Sequence, residues 1–207
     1  MAVSSRLNLQ IQGRAVEAVL EQTEEQAAKG LAVVAHPHPL YGGTMDNKVV
    51  QTLARAFVQT GWNCLRFNFR GVGQSEGVFD EGQGETQDLL ALVEQLAPTG
   101  PLALAGFSFG AFVAAQALQA LWPSGRVHKT ILVGTAVPKF PAPALPEDAH
   151  AQALVVHGEL DDTVALAGVM DWARPQQLPI TVVPGGGHFF HGQLPLLKTL
   201  AIRHLQA

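Results

Sequence analysis

Residues 102–121 read LALAGFSFGAFVAAQALQAL, and the order of the parts in this stretch decides the fold. Leu102 to Ala105 is a short apolar run, Gly106-Phe107-Ser108-Phe109-Gly110 follows it, and Phe112 to Leu121 is apolar on nearly every side. A short apolar run bounded by glycine reads as a buried strand, and a longer segment that is apolar all round reads as a buried helix. Between them the two glycines leave room for a sharp turn that holds Ser108 in a strained backbone conformation, its hydroxyl raised above the end of the strand. The helix N-terminus then points at the same spot. The Phe109 N–H is thereby placed to stabilise negative charge developing on a bound oxygen. A tight turn that ends in an ordinary capping serine is the plainer alternative.

Outward from this unit the same alternation repeats. LAVVA (31–35), CLRFNF (64–69), TILVG (130–134), ALVVHG (153–158) and ITVV (180–183) are further strand-like runs. Val49, Val50, Leu53, Phe57 and Val58 mark one amphipathic helix, and Leu89, Leu90, Leu92, Val93 and Leu96 mark another. Two more helices fall near 165–173 and 194–205. The opening LNLQIQGRAVEAVLEQ alternates with period two on either side of Gly13, as an antiparallel pair at a sheet edge would. Charged residues make up only 14% of the chain, against about 25% in an average protein, and 47% is hydrophobic. Much of the sheet must therefore be covered. The expectation is an α/β protein, one domain over 1–207, with a mostly parallel sheet of about eight strands and helices on both faces.

A serine hydroxyl is a weak nucleophile at neutral pH and needs a base within hydrogen-bond reach. Two loops that leave the carboxyl ends of later strands carry the candidates. The first is His157-Gly158-Glu159-Leu160-Asp161-Asp162, where Asp161 and Asp162 compete as the acid and Asp162 is also placed to cap the helix near Ala165. The second is Gly185-Gly186-Gly187-His188-Phe189-Phe190-His191. Its glycines let His188 bend back over Ser108, whereas His191 already approaches the last helix. The order serine, acid, histidine is the one that strand-turn-helix nucleophiles use. His157 reads as structural.

At these residues the chain resembles the compact bacterial α/β hydrolases related to dienelactone hydrolases, over nearly its whole length. The likeness is carried by HPHPLYGGTMDNKVV (36–50), FNFRGVGQSEG (67–77), GFSFGA (106–111), HGELDDTV (157–164) and GGGHFFHG (185–192). The resemblance implies an α/β-hydrolase fold and a triad of Ser108, Asp161 and His188, the acid being the fourth residue of G-[DE]-x-D. It also implies that the loop after the first parallel strand supplies a second oxyanion donor. Pro37 and Pro39 have no N–H, which points to Leu40, with Tyr41 in reserve, beside Phe109. Dienelactone hydrolases proper use a cysteine nucleophile, so their substrate does not carry over. The reaction implied is hydrolysis of small or short-acyl carboxylic esters or thioesters through an acyl-enzyme. An aminopeptidase or amidase on the same triad and a non-catalytic binding module of the same fold are the alternatives. Tyr41, Phe107, Phe109, Phe140 and Phe189 are the candidate pocket walls. Asn47, Lys48, Asn68 and Arg70 lie in the resembling stretches and read as structural hydrogen bonders.

Other classes find little support. The formal charge is −4 and no basic stripe is present, which argues against nucleic acid. The start lacks a signal-peptide pattern and no apolar run reaches membrane-spanning length, so no membrane partner and a cytoplasmic setting are expected, with a small molecule as substrate. Cys64 reads as a small buried hydrophobe. His36-x-His38 has no third ligand at a short metal spacing, and no metal or cofactor is expected. Gly71-Val72-Gly73 fails as a dinucleotide fingerprint, because Glu76 stands where its third glycine belongs. Only Thr135 to Gln152 is available for a cover after TILVG. Its prolines 138, 141, 143 and 146 leave space for one short helical turn and exclude a cap of several helices.

Overall fold

The computed structural model describes residues 3–207. Eight strands form one sheet: β1 (Val3–Ile11), β2 (Arg14–Gln22), β3 (Leu31–Ala35), β4 (Asn63–Phe67), β5 (Leu102–Phe107), β6 (Val127–Val133), β7 (Ala153–Gly158) and β8 (Ile180–Val183). Five α-helices connect them: α1 (Lys48–Gln59), α2 (Gln83–Leu96), α3 (Phe109–Leu121), α4 (Leu166–Ala173) and α5 (Leu194–Gln206). The strand order is β1-β2-β4-β3-β5-β6-β7-β8. Among the described residues only β1–β2 and β2–β4 pair antiparallel. The first hairpin turns at Gln12 and Gly13, both with positive φ (51° and 78°), the twist that a two-residue hairpin loop requires.

Period-two alternation sorts the core into two layers. On β5, Leu102 and Leu104 join the layer beneath α2, α3 and α4, whereas Ala103, Ala105 and Phe107 join the layer beneath α1 and α5. From β3 the chain winds one way to β4, then crosses back to place β5 on the other side of β3. The connections therefore diverge at the carboxyl ends of β3 and β5, which opens a crevice between the loop after β3 and the turn after β5.

One detail differs from expectation. β4 ends at Phe67, so Asn68 and Phe69 have already left the sheet. Helix α2 buries Glu85 and Asp88 along with Leu89, Leu92 and Val93. Glu85 accepts the Asp80 and Gly82 N–H groups ahead of the helix. Asp88 accepts Arg70 Nε and Nη2, both at 2.9 Å, and its same two oxygens also accept Arg14. Asn47 caps α1 through the Val49 N–H, and Asn68 bridges the Met45 N–H to Glu17. Cys64 is fully buried. The segment between β6 and β7 is extended, with one 3-10 turn at Glu147–Gln152.

Candidate active site

The turn between β5 and α3 is held by close approach. A Cβ on Gly106 would lie 2.0 Å from the Gly110 carbonyl oxygen, and one on Gly110 would lie 2.3 Å from that of Ala35. Neither position admits a side chain, so β5 and the first turn of α3 pack directly on β3. Ser108 takes φ 57°, ψ −118°, a region that non-glycine residues avoid. Its N–H is tied to the Val133 carbonyl at 2.8 Å, which fixes the strained residue to β6.

The acid and base arrive on the loops after β7 and β8. Those loops are stitched together by the Leu160 N–H to the Gly186 carbonyl (2.8 Å) and the Gly185 N–H to Glu159 Oε2 (2.8 Å). His188 Nε2 lies 3.0 Å from Ser108 Oγ, and His188 Nδ1 lies 2.7 Å from Asp161 Oδ2. Asp161 Oδ1 accepts the Thr163 and Val164 N–H groups at 3.0 and 2.7 Å. Burial alone would raise this carboxyl, but the bonds from His188, Val164 and Thr163 outweigh it and hold Asp161 below the ordinary carboxylate value. The geometry brings Ser108, His188 and Asp161 into one hydrogen-bonded chain and leaves Asp162 exposed, with only the Thr163 hydroxyl donating to it at 3.3 Å. Asp162 caps nothing: α4 begins after Ala165 without a side-chain cap.

The loop after β3 corrects one expectation. The Leu40 N–H donates to His38 Nδ1 at 3.2 Å, and the Tyr41 N–H donates to the His38 carbonyl at 3.2 Å. Both candidate oxyanion donors are thus used up in closing the turn, and the Leu40 side chain stands in solvent. Among the described residues the N–H groups of His38 and Phe109 meet no acceptor, and both residues line the cavity that contains Ser108. The sequence held the clue, since His38 is the residue between two prolines that keeps a donor.

Three recesses surround these groups. One of about 170 Å³ lies beside Ser108 and is walled by Phe109, Val137, Phe140 and Val164. It shares His38, Tyr41, Lys139 and Phe140 with a further recess of about 500 Å³ that reaches Phe112 and Gln116. On the other side of Ser108 a recess of about 140 Å³ is lined by Gly42, Asn47, His188 and Phe189. Tyr41, Phe140 and Phe189 therefore line recesses that contain Ser108. Phe107 does not: strand alternation turns it away from the crevice, fully buried, with its ring 4.8 Å from that of His188. A recess of about 540 Å³ between β2 and α1 is lined by Glu21, Glu25 and Arg55 and holds no nucleophile with a base.

His36 is not available to a metal. Its Nδ1–H donates to the Pro37 carbonyl (2.6 Å), and its Nε2 accepts the Phe69 N–H (2.9 Å). His38 is pushed below the ordinary histidine value by partial burial and then by Lys139, which keeps it neutral. His157, read from the sequence as structural, places its Nε2 2.8 Å from the Val164 carbonyl and 3.4 Å from Asp161 Oδ2, a proximity to the acid that the sequence does not show. Sequence reasoning missed Glu159 as the tie between the two loops.

Fold and site together define a serine hydrolase of the α/β-hydrolase superfamily. The family model described as serine aminopeptidase, S33, matches residues 26–157. An α/β serine hydrolase without lid from Xanthomonas campestris is 36% identical, with a TM-score of 0.86, covering 98% of this chain and 94% of that one. An α/β serine hydrolase homologue from Coxiella burnetii is 33% identical, with a TM-score of 0.81, covering 97% of each. Est1E from Butyrivibrio proteoclasticus, 16% identical over 97% of this chain and 98% of that one, shares the fold with a TM-score of 0.80. A protein of Rickettsia prowazekii is 49% identical over 90 residues, 42% of this chain, and the chain spans 38% of its length. The chain belongs to this family of α/β serine hydrolases. No helix among the described residues is long and apolar enough to cross a membrane.

Proposed function

We propose that the chain hydrolyses small carboxylic esters or thioesters through an acyl-enzyme on Ser108, as a single domain without a lid. The observation that carries this reading is the charge around the nucleophile. Neither recess that contains Ser108 is lined by a carboxylate, and the ammonium group of Lys139 lines the one beside Phe109 and Phe140. An aminopeptidase must hold a substrate α-ammonium group next to the scissile carbonyl, and here that group would meet a like charge and apolar rings. A neutral ester meets no such obstacle.

In the first half-reaction Ser108 Oγ attacks the carbonyl carbon while its proton passes to His188 Nε2. The carbonyl oxygen, now negative, takes the N–H groups of Phe109 and His38. As the C–O bond to the alcohol breaks, His188 returns that proton to the leaving oxygen. In the second half, water repeats the sequence, its proton going through His188 back to Ser108 as the acid departs. Asp161 keeps Nδ1 protonated and steadies the imidazolium without taking the proton.

Purified protein assayed on p-nitrophenyl acetate, an acetyl thioester and aminoacyl p-nitroanilides tests the reading. Turnover of the first two, abolished in Ser108→Ala, is the expected result. Turnover of the anilides alone would replace it with the peptidase reading. With no lid, the rate should also rise smoothly through the critical micelle concentration of a longer ester. A jump there would show a cover.

A further inference from the structure

The recesses on the two sides of Ser108 are unequal, and His188 decides which end of an ester each receives. The leaving oxygen must lie within hydrogen-bond reach of His188 Nε2, because that nitrogen delivers its proton. His188 lines the recess of about 140 Å³ and not the one of about 170 Å³ on the opposite side. The alcohol therefore leaves through the small recess, past Asn47 and Phe189. The acyl group lies on the other side, where the recess continues into the space of about 500 Å³.

That acyl side combines rings next to Ser108 with the polar groups of Glu81, Gln83 and Gln116 in its outer part. Phe112 and Phe140 stack with their centroids 5.3 Å apart and planes 25° from parallel. Phe109 meets Phe140 edge-on at 4.9 Å, and His38 lies 5.5 Å from Phe140. The Lys139 ammonium sits 4.7 Å from the Tyr41 ring centroid and 5.9 Å from that of Phe140, across the outer side of the cleft. A flexible alkyl chain gains only area against such walls. Phe109 and Phe112 are fully buried and back Phe140 from behind, so a flat ring gains offset-stacked and edge-to-face contacts with Phe140 and Tyr41 and gives up fewer rotatable bonds on binding.

We propose that the substrates are esters of aryl-bearing carboxylic acids with a small alcohol, the aryl group lying in the cleft against Phe140 and Tyr41. This rests on the ester-hydrolase reading above and specifies its substrate. Lys139 beside Ser108, with the Glu81 carboxylate confined to the outer part of the cleft, further implies that the acyl group is neutral or anionic near the scissile bond, not cationic.

Two isomeric esters separate the ends. Ethyl phenylacetate carries its ring on the acyl side, and 2-phenylethyl acetate carries it on the alcohol side, with the same atoms in each. Hydrolysis followed by pH-stat, with each kcat/KM divided by the hydroxide-catalysed rate of that ester, should favour ethyl phenylacetate by about tenfold or more. Phe140→Ala should reduce that ratio severalfold through KM. Phe140→Leu, which keeps the bulk and loses the ring, should reduce it too, with thermal melts reporting that both variants fold. A ratio at or below one, or a ratio that both variants leave intact, overturns the proposal. If p-nitrophenyl acetate is cleaved while the isomers show no such preference, the ester reading stands and the aryl assignment falls. If no ester is cleaved, both fall.

Discussion

His157 Nε2 lies 3.4 Å from Asp161 Oδ2, the same oxygen that receives the His188 Nδ1–H at 2.7 Å. Burial lowers the His157 pKa, so the ring is neutral. With the Val164 carbonyl at 2.8 Å and a carboxylate as neighbours, the proton sits on Nε2. His157 thus braces the acid from behind, on the strand from which the acid loop departs. The Nε2–H is donated to the Val164 carbonyl, so exchanging this donor for an apolar ring loosens the turn that holds Asp161 and should cost about fivefold in kcat, the worth of one hydrogen bond between neutral groups, with KM little changed. His157→Phe and His157→Gln make the comparison, since glutamine keeps an N–H near the Nε2 position. Full kcat in the Phe variant, or equal losses in the two, would remove His157 from the positioning role.

Asp161 and Asp162 are adjacent and should behave oppositely. In Asp161→Asn the side-chain oxygen still accepts the Thr163 and Val164 N–H groups, which turns the amide nitrogen toward His188. His188 must then present Nδ1 as an acceptor, and the proton moves to Nε2, where it blocks transfer from Ser108. Turnover should fall by about 10³ to 10⁴. Asp162→Asn touches an exposed side chain that caps no helix, so both turnover and stability should stay near wild type, the latter within about 0.5 kcal/mol. Steady-state kinetics and urea melts of the two variants decide the matter, and a reversed ranking would move the acid to Asp162.

Gly110→Ala tests whether the close packing at the turn serves catalysis. The new Cβ would lie 2.3 Å from the Ala35 oxygen and 2.5 Å from the His36 oxygen. Helix α3 must back away from β3, carrying the Phe109 N–H from the oxyanion position and separating it from His38. A loss of about 10² or more in kcat is expected, as when one oxyanion donor is removed, together with a lower melting temperature. A folded variant with near-normal kcat would show that the donor pair tolerates this displacement.

What the sequence made legible was local. Strand, glycine turn and buried helix around Ser108 are contiguous, and the two later loops announce themselves by following strands in the right order. Phe107 was misplaced although strand alternation with Ala105 should have sent it to the buried layer. His38 was overlooked although the flanking prolines singled it out. Other features have no local signature. Glu159 and His157 acquire their roles only when the loops after β7 and β8 lie side by side. The buried Asp88 is invisible because a helical face with Glu85 and Asp88 reads as solvated until Arg14 and Arg70, remote in sequence, are packed against it.

Acid stability should depend on histidines that the reaction does not use. His36 is buried, and that desolvation lowers its pKa from the ordinary 6.5 to about 3, only partly opposed by the Pro37 carbonyl. Its Nε2 also accepts the Phe69 N–H at 2.9 Å, a bond that a second ring proton would abolish. His204 is lowered to about 4, first by burial and then by Lys129. Between the folded and unfolded values the unfolded chain binds a proton that the folded chain does not. The contribution from keeping each ring neutral is therefore complete above about pH 6.5 and is lost as the pH falls toward the folded value. For His36 this amounts to roughly 1.4 kcal/mol per pH unit within that window. Urea unfolding at steps from pH 7.5 to 4.5 should show a steady fall in stability below pH 6.5. The same series on His36→Asn should start from a lower stability and fall less steeply, by about one proton. In NMR spectra of the native protein, the His36 ring signals should not titrate between pH 7.5 and 5. A His36 ring that titrates near 6.5 in the folded state, or an unchanged slope in the variant, would refute the linkage.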